Sequence, residues 1–93
     1  MTFAEVRNAV EEVRDEKWEH FVNRHGDPAR DLVMYILRER SGQSIAVIAE
    51  NCGVKRRGTA ILAIQRFEQR LRTDKTLRKL MDGVTKILDM DDL

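Results

Sequence analysis

Apolar residues recur along this chain at helical spacing, and nowhere in the alternation of a half-buried strand. Phe3, Val6, Val10 and Val13 form the stripe of an amphipathic helix, and Thr2 stands three residues before Glu5, the spacing of a capping box. Trp18, Phe21 and Val22 either extend that helix or form a short second one. Gly26-Asp27-Pro28 interrupts the pattern. Asp27 suits an N-cap, and Pro28 suits the first helical position, where its missing N–H costs nothing. Leu32, Val33, Tyr35, Ile36 and Leu37 then fill an apolar helix that ends at Ser41-Gly42, with Arg38 and Arg40 in its last turn.

Ser44 is placed to cap a short helix, Ile45 to Asn51, with Ile45, Ile48 and Ala49 inward. Gly53 follows as a left-handed C-terminal residue. A longer helix is predicted from near Arg56, with Ala60, Ile64, Phe67 and Leu71 inside and Gln65, Gln69 and Arg72 outside. Thr73-Asp74 caps a last helix whose inner side is Leu77, Leu80, Met81, Val84, Ile87 and Leu88. Gly83 within it costs about 1 kcal/mol relative to Ala, which close packing against another helix would justify. The expected architecture is all-α: five or six helices forming one domain over 1–88, with a helix-turn-helix at 44–72. An acidic tail, 89–93, is expected to fray. The expected core joins Val10, Trp18, Leu32, Ile36, Ile48, Ile64, Phe67 and Leu80.

Composition narrows the function. Ninety-three residues support one core. The single cysteine, Cys52, allows no intrachain disulfide and no cysteine-based zinc site. No stretch suits a signal peptide or a membrane span. A cytoplasmic, nucleoid-associated monomer is expected, with no cofactor and no small-molecule substrate. His20 and His25 lack a third ligand and read as surface residues. Glu11-Glu12 and Asp15-Glu16 read as a solvated face rather than a general acid and base. No nucleophile, metal cluster or phosphate loop marks an enzyme.

The net charge of +1 conceals a segregated pattern. Residues 1–27 carry seven acids and four bases, whereas Lys55 to Lys79 holds nine bases and two acids. The last fourteen residues carry four acids and one base. A basic block between acidic ends suits a polyanion, because each Lys or Arg on a phosphate releases counterions. It suits a solvated helix face as well. The basic block coincides with a specific arrangement: a short capped helix, the turn Cys52-Gly53-Val54-Lys55, and a longer helix opening on Arg56-Arg57. In a helix-turn-helix the first helix braces across the DNA backbone while the second places its N-terminal residues in the major groove.

Across Ala29 to Leu71 the sequence resembles the C-terminal DNA-binding domain of the bacterial replication initiator DnaA, a Trp-repressor-like helical fold. The resemblance is carried by Leu37-Arg38-Glu39, Ser44-Ile45, Ile48-Ala49-Glu50-Asn51-Cys52-Gly53, Lys55, Thr59-Ala60, Ala63 and Arg66-Phe67-Glu68-Gln69. It is similar, more closely, to the DnaA-like tail of REP-associated tyrosine transposases. Arg24-His25-Gly26-Asp27, Gly53-Val54 and Leu71-Arg72-Thr73-Asp74-Lys75-Thr76-Leu77-Arg78 carry that likeness. The resemblance implies double-stranded DNA as partner, a phosphate contact at Arg38, base reading at the start of the second helix, and an inert core thiol at Cys52, where the family keeps a buried apolar residue.

The chain departs from the initiator there, reading Lys55-Arg56-Arg57-Gly58-Thr59, so the initiator's site preference does not carry over. Nor does the position of its minor-groove loop, Gly26-Asp27-Pro28, hold an arginine. The residues still suit a DNA reader. Arg56 and Arg57 can each present two parallel hydrogen bonds to guanine, Gly58 lets the backbone approach, and Thr59 can meet a thymine methyl or a phosphate. Phosphate contacts are expected from Arg38, Ser44, Lys55 and Arg66. A second reading is a protein-interaction module whose basic face pairs with an acidic partner.

Overall fold

Three helices pack around a central fourth, and the local chemistry of each terminus explains where each begins and stops. The computed structural model describes residues 1–91, and among them six helices and no strand occur: α1 (Phe3–Arg14), α2 (Trp18–Phe21), α3 (Ala29–Ser41), α4 (Ile45–Asn51), α5 (Arg57–Leu71) and α6 (Lys75–Asp91). The chain is all-α, as its periodicity predicts. α3 is the hub, packed against α1, α4 and α5, while α6 closes over α1 and α5.

The Thr2 hydroxyl accepts the Glu5 N–H at 3.2 Å and donates to the Glu5 carboxylate at 3.2 Å, starting α1. α1 stops at Asp15, whose backbone is left-handed (φ 51°). Glu11 then reaches past the stop to accept the Trp18 N–H at 2.8 Å, holding the start of α2. Trp18 thus belongs to a short separate helix, packed edge to face between Phe3 and Phe21. The entry to α3 is an ionic knot. Arg14 grips Asp27 with two bonds of 2.9 and 2.6 Å, Arg24 binds both Glu16 and Asp27, and Asp27 accepts the Ala29 N–H at 2.9 Å. The first helical residue is Ala29, one later than expected, but Asp27 still supplies the capping oxygen.

Of the expected core, Val10, Leu32, Ile36, Ile48, Ile64 and Phe67 are buried, and Trp18 and Leu80 are partly buried against them. Val13 departs from its stripe and is 37 % exposed. Its methyl groups lie 3.4 and 3.5 Å from where a Gly83 Cβ would stand, so α1 and α6 approach closely at that glycine. α6 continues through Asp91, and Asp89 pairs with Arg40 at 2.6 Å. Residues 92 and 93 lie outside the described residues.

Candidate nucleic-acid interface

α4 is short and held at both ends. Ser44 accepts the Val47 N–H at 3.3 Å. At the other end Gly53 takes φ +71°, its N–H bonds the Glu50 carbonyl at 3.3 Å, and the Val54 N–H bonds the Ala49 carbonyl at 2.8 Å. This pair of bonds is a Schellman motif, and Val54 tucks in beside it at 9 % exposure. The turn therefore has one conformation, fixed by a glycine and a buried valine, and it sends the chain directly into α5. Small residues at the contact, Ala49 and Ala60, are both buried.

α5 starts differently from its neighbours. Arg56 is extended (φ −118°, ψ 133°) at the N-cap and makes no side-chain capping bond, so the first helical residue is Arg57. The expected start near Arg56 thus moves by one, and only Arg57 of the two arginines lies within the first turn. That turn contains no acid. It does contain Gly58, one of the weakest helix formers. Elsewhere Thr2 caps α1, Ser44 caps α4, and Asp74 accepts the Leu77 N–H of α6 at 3.0 Å. An uncapped helix start carrying Lys55, Arg56 and Arg57 against the positive end of the dipole is locally unfavourable. The first N–H groups of a helix have no intrahelical partner, and here they lie beside three exposed cationic side chains.

The expected site residues Arg38, Ser44, Lys55, Arg56, Arg57, Gly58, Thr59 and Arg66 are all exposed. Among the described residues, no ion pair engages Arg38, Lys55, Arg56, Arg57 or Arg66. Lys55 to Thr59 form one contiguous end of α5. Arg66 stands apart, roughly 13 Å further along the axis at 1.5 Å per residue, on the rim of a cleft of about 470 Å³ that Arg30 and Arg70 also line. Arg70 is the i+4 neighbour of Arg66 on α5, whereas Arg30 joins them only because α3 packs on α5, which no local pattern in the sequence shows. Arg38 donates to the Gln43 carbonyl at 3.1 Å and so braces the α3–α4 connection as well as facing solvent. Arg24, upstream of the loop, is committed to Glu16 and Asp27.

Leu62 falls outside the apolar stripe that the spacing predicts for α5. It is 59 % exposed on α5. Cys52 is 2 % exposed, and burial pushes its thiol up to about 12, which leaves it protonated and unreactive at neutral pH. Among the described residues no cluster of three His, Cys, Asp or Glu side chains could hold a metal ion, and no helix is long and apolar enough to cross a membrane. Compared with known proteins, the chain matches no family model, no curated protein and no solved structure.

Proposed function

We propose that the chain binds double-stranded DNA sequence-specifically, with α4, its turn and α5 acting as a helix-turn-helix and α5 entering the major groove. One observation carries the reading: α5 begins uncapped, with Lys55, Arg56 and Arg57 exposed and, among the described residues, without an ion-pair partner around its first turn. Local rules are broken in this way at functional sites, where an outside partner compensates. Phosphate is that partner here, because backbone N–H groups and cations converge on it. Arg57, with Arg56 beside it, is placed to read guanine, and Thr59 to meet a thymine methyl or a phosphate; Arg38, Ser44, Lys55 and Arg66 hold the backbone. The resemblance to the DnaA C-terminal domain and to transposase-associated tails supports a Trp-repressor-like targeting module that does no chemistry.

The test is selection of bound sequences from a random duplex pool, followed by titration of Arg57→Ala on the selected and on a scrambled duplex. Base reading by Arg57 predicts a loss of about 1–3 kcal/mol on the selected site and relaxed preference at one or two guanines. An equal loss on both duplexes would reduce Arg57 to a phosphate clamp. Failure to enrich any duplex, with binding to an acidic polypeptide instead, would favour the interaction module.

A further inference from the structure

The side of α5 that faces away from the core is not uniformly polar. Ala60, Ala63, Ile64 and Phe67 are buried, and at 3.6 residues per turn the opposite direction is shared by Gly58, Leu62, Gln65 and Gln69. Leu62 therefore stands one turn beyond Gly58 on the same line. A Cβ at Gly58 would meet nothing within 4 Å, and Gly58 has no positive φ. Neither packing nor backbone geometry within the chain calls for glycine there. What glycine does leave there is room for a surface outside the chain to come close to the backbone.

The surroundings specify that surface. Lys55, Arg56 and Arg57 lie at the N-terminal side of Leu62 and Arg66 lies one turn beyond it, all exposed and, among the described residues, without an ion-pair partner. An apolar side chain inside a cationic border fits a polyanion that carries an apolar spot. In the major groove that spot is the thymine C5 methyl. A second copy of the chain fits poorly, because a two-fold contact through Leu62 would set each cationic border against its own image.

We propose that Leu62 is a specificity-determining residue that packs on a thymine methyl, reached because Gly58 lets the α5 backbone lie close to the base edges. This rests on the duplex-binding reading above. The experiment replaces each thymine of the selected duplex, one at a time, with deoxyuridine, which keeps every hydrogen-bonding group and loses only the methyl. At one or two positions the wild-type protein should bind roughly fourfold more weakly, the effect of about 0.8 kcal/mol for one buried methyl. Leu62→Ala should bind thymine and deoxyuridine versions of those positions alike, and Leu62→Met should retain the discrimination. Because the side chain is exposed, Leu62→Ala should melt with the wild type.

The inference is overturned if a duplex is selected but no thymine position responds, or if Leu62→Ala keeps the full response. It is overturned in favour of a contact between copies if Leu62→Ala changes the sedimentation of the free protein. If no duplex is enriched at all, the duplex-binding reading itself fails.

Discussion

Gly58 lies where two demands on one residue diverge. In the first turn of α5 it loses more backbone freedom on folding than alanine would, and a Cβ there has open space around it. Gly58→Ala should therefore stabilise the fold by roughly 0.4–1 kcal/mol. The same methyl would stand between the α5 backbone and a base edge, so affinity for the selected duplex should fall while affinity for scrambled DNA changes less. Urea melts and duplex titrations on one variant measure both. A variant that gains stability and keeps full affinity would show that close approach at Gly58 is not required. At the same scale, residue types were legible and their pairings were not. Cys52 reads as a core thiol from sequence and is one. Glu11 and Glu16 read as solvated acids, but Glu11 holds the Trp18 N–H and Glu16 holds Arg24, because Asp15 turns the chain back and brings distant groups together.

Among the elements, α3 shows how an ionic knot replaces a simple cap. The Asp27 side chain is only 3 % exposed. Burial alone would raise its pKa, but the Arg14 hydrogen bonds, the Ala29 N–H and the charges of Arg14 and Arg24 outweigh burial and hold it below the usual carboxylate range. A group whose folded pKa is depressed contributes stability above its unfolded pKa, about 3.9, and loses it as pH falls through the folded value. Asp31, half-buried on α3, has the opposite sign: burial raises its pKa against the pull of Arg30, Arg66 and Arg70, so acid relieves it. Asp27→Asn should lower stability at pH 7 by about 1–3 kcal/mol and make the loss between pH 5 and pH 2 shallower than in the wild type. Denaturant melts at several pH values check this, and parallel pH profiles would remove Asp27 from the acid response.

The elements also show what periodicity leaves open. Helix existence and inward faces follow from the spacing of apolar residues, as in Ile48, Ile64 and Phe67, all buried. Some ends follow as well, as at Thr2, Ser44 and Asp74, but others depend on side chains that arrive from elsewhere, such as Glu11 on the Trp18 N–H, and these have no local signature. Gly83 lies between the two cases. The sequence explains it by close packing, and α1 does approach it, yet a Cβ would sit at ordinary contact distance from the partly exposed Val13. Helix propensity then dominates, and Gly83→Ala should raise stability by about 0.5–1 kcal/mol. A lowered melting temperature would mean that Val13 cannot move aside.

For the whole molecule, size limits how DNA can be held. The described chain measures 33 × 27 × 25 Å, and one turn of B-DNA is about 34 Å long. One copy therefore spans no more than about a turn, and the cations proposed to meet phosphate within that length are few: Arg38, Lys55 and Arg66, with Arg30 and the Asp74-paired Arg70 beside Arg66. With roughly four to six phosphates neutralised, log K should fall against log salt with a slope of about −4 to −5. Arg66→Ala should weaken selected and scrambled duplexes alike and flatten the slope by about one phosphate, because a phosphate contact carries no sequence information. A dimer engaging two half-sites would instead double the slope. Titrations of wild type and Arg66→Ala between 50 and 300 mM salt (about a sixfold range, wide enough to resolve one unit of slope) separate these cases. A slope near zero would mean that the basic face of the molecule does not serve to hold a polyanion.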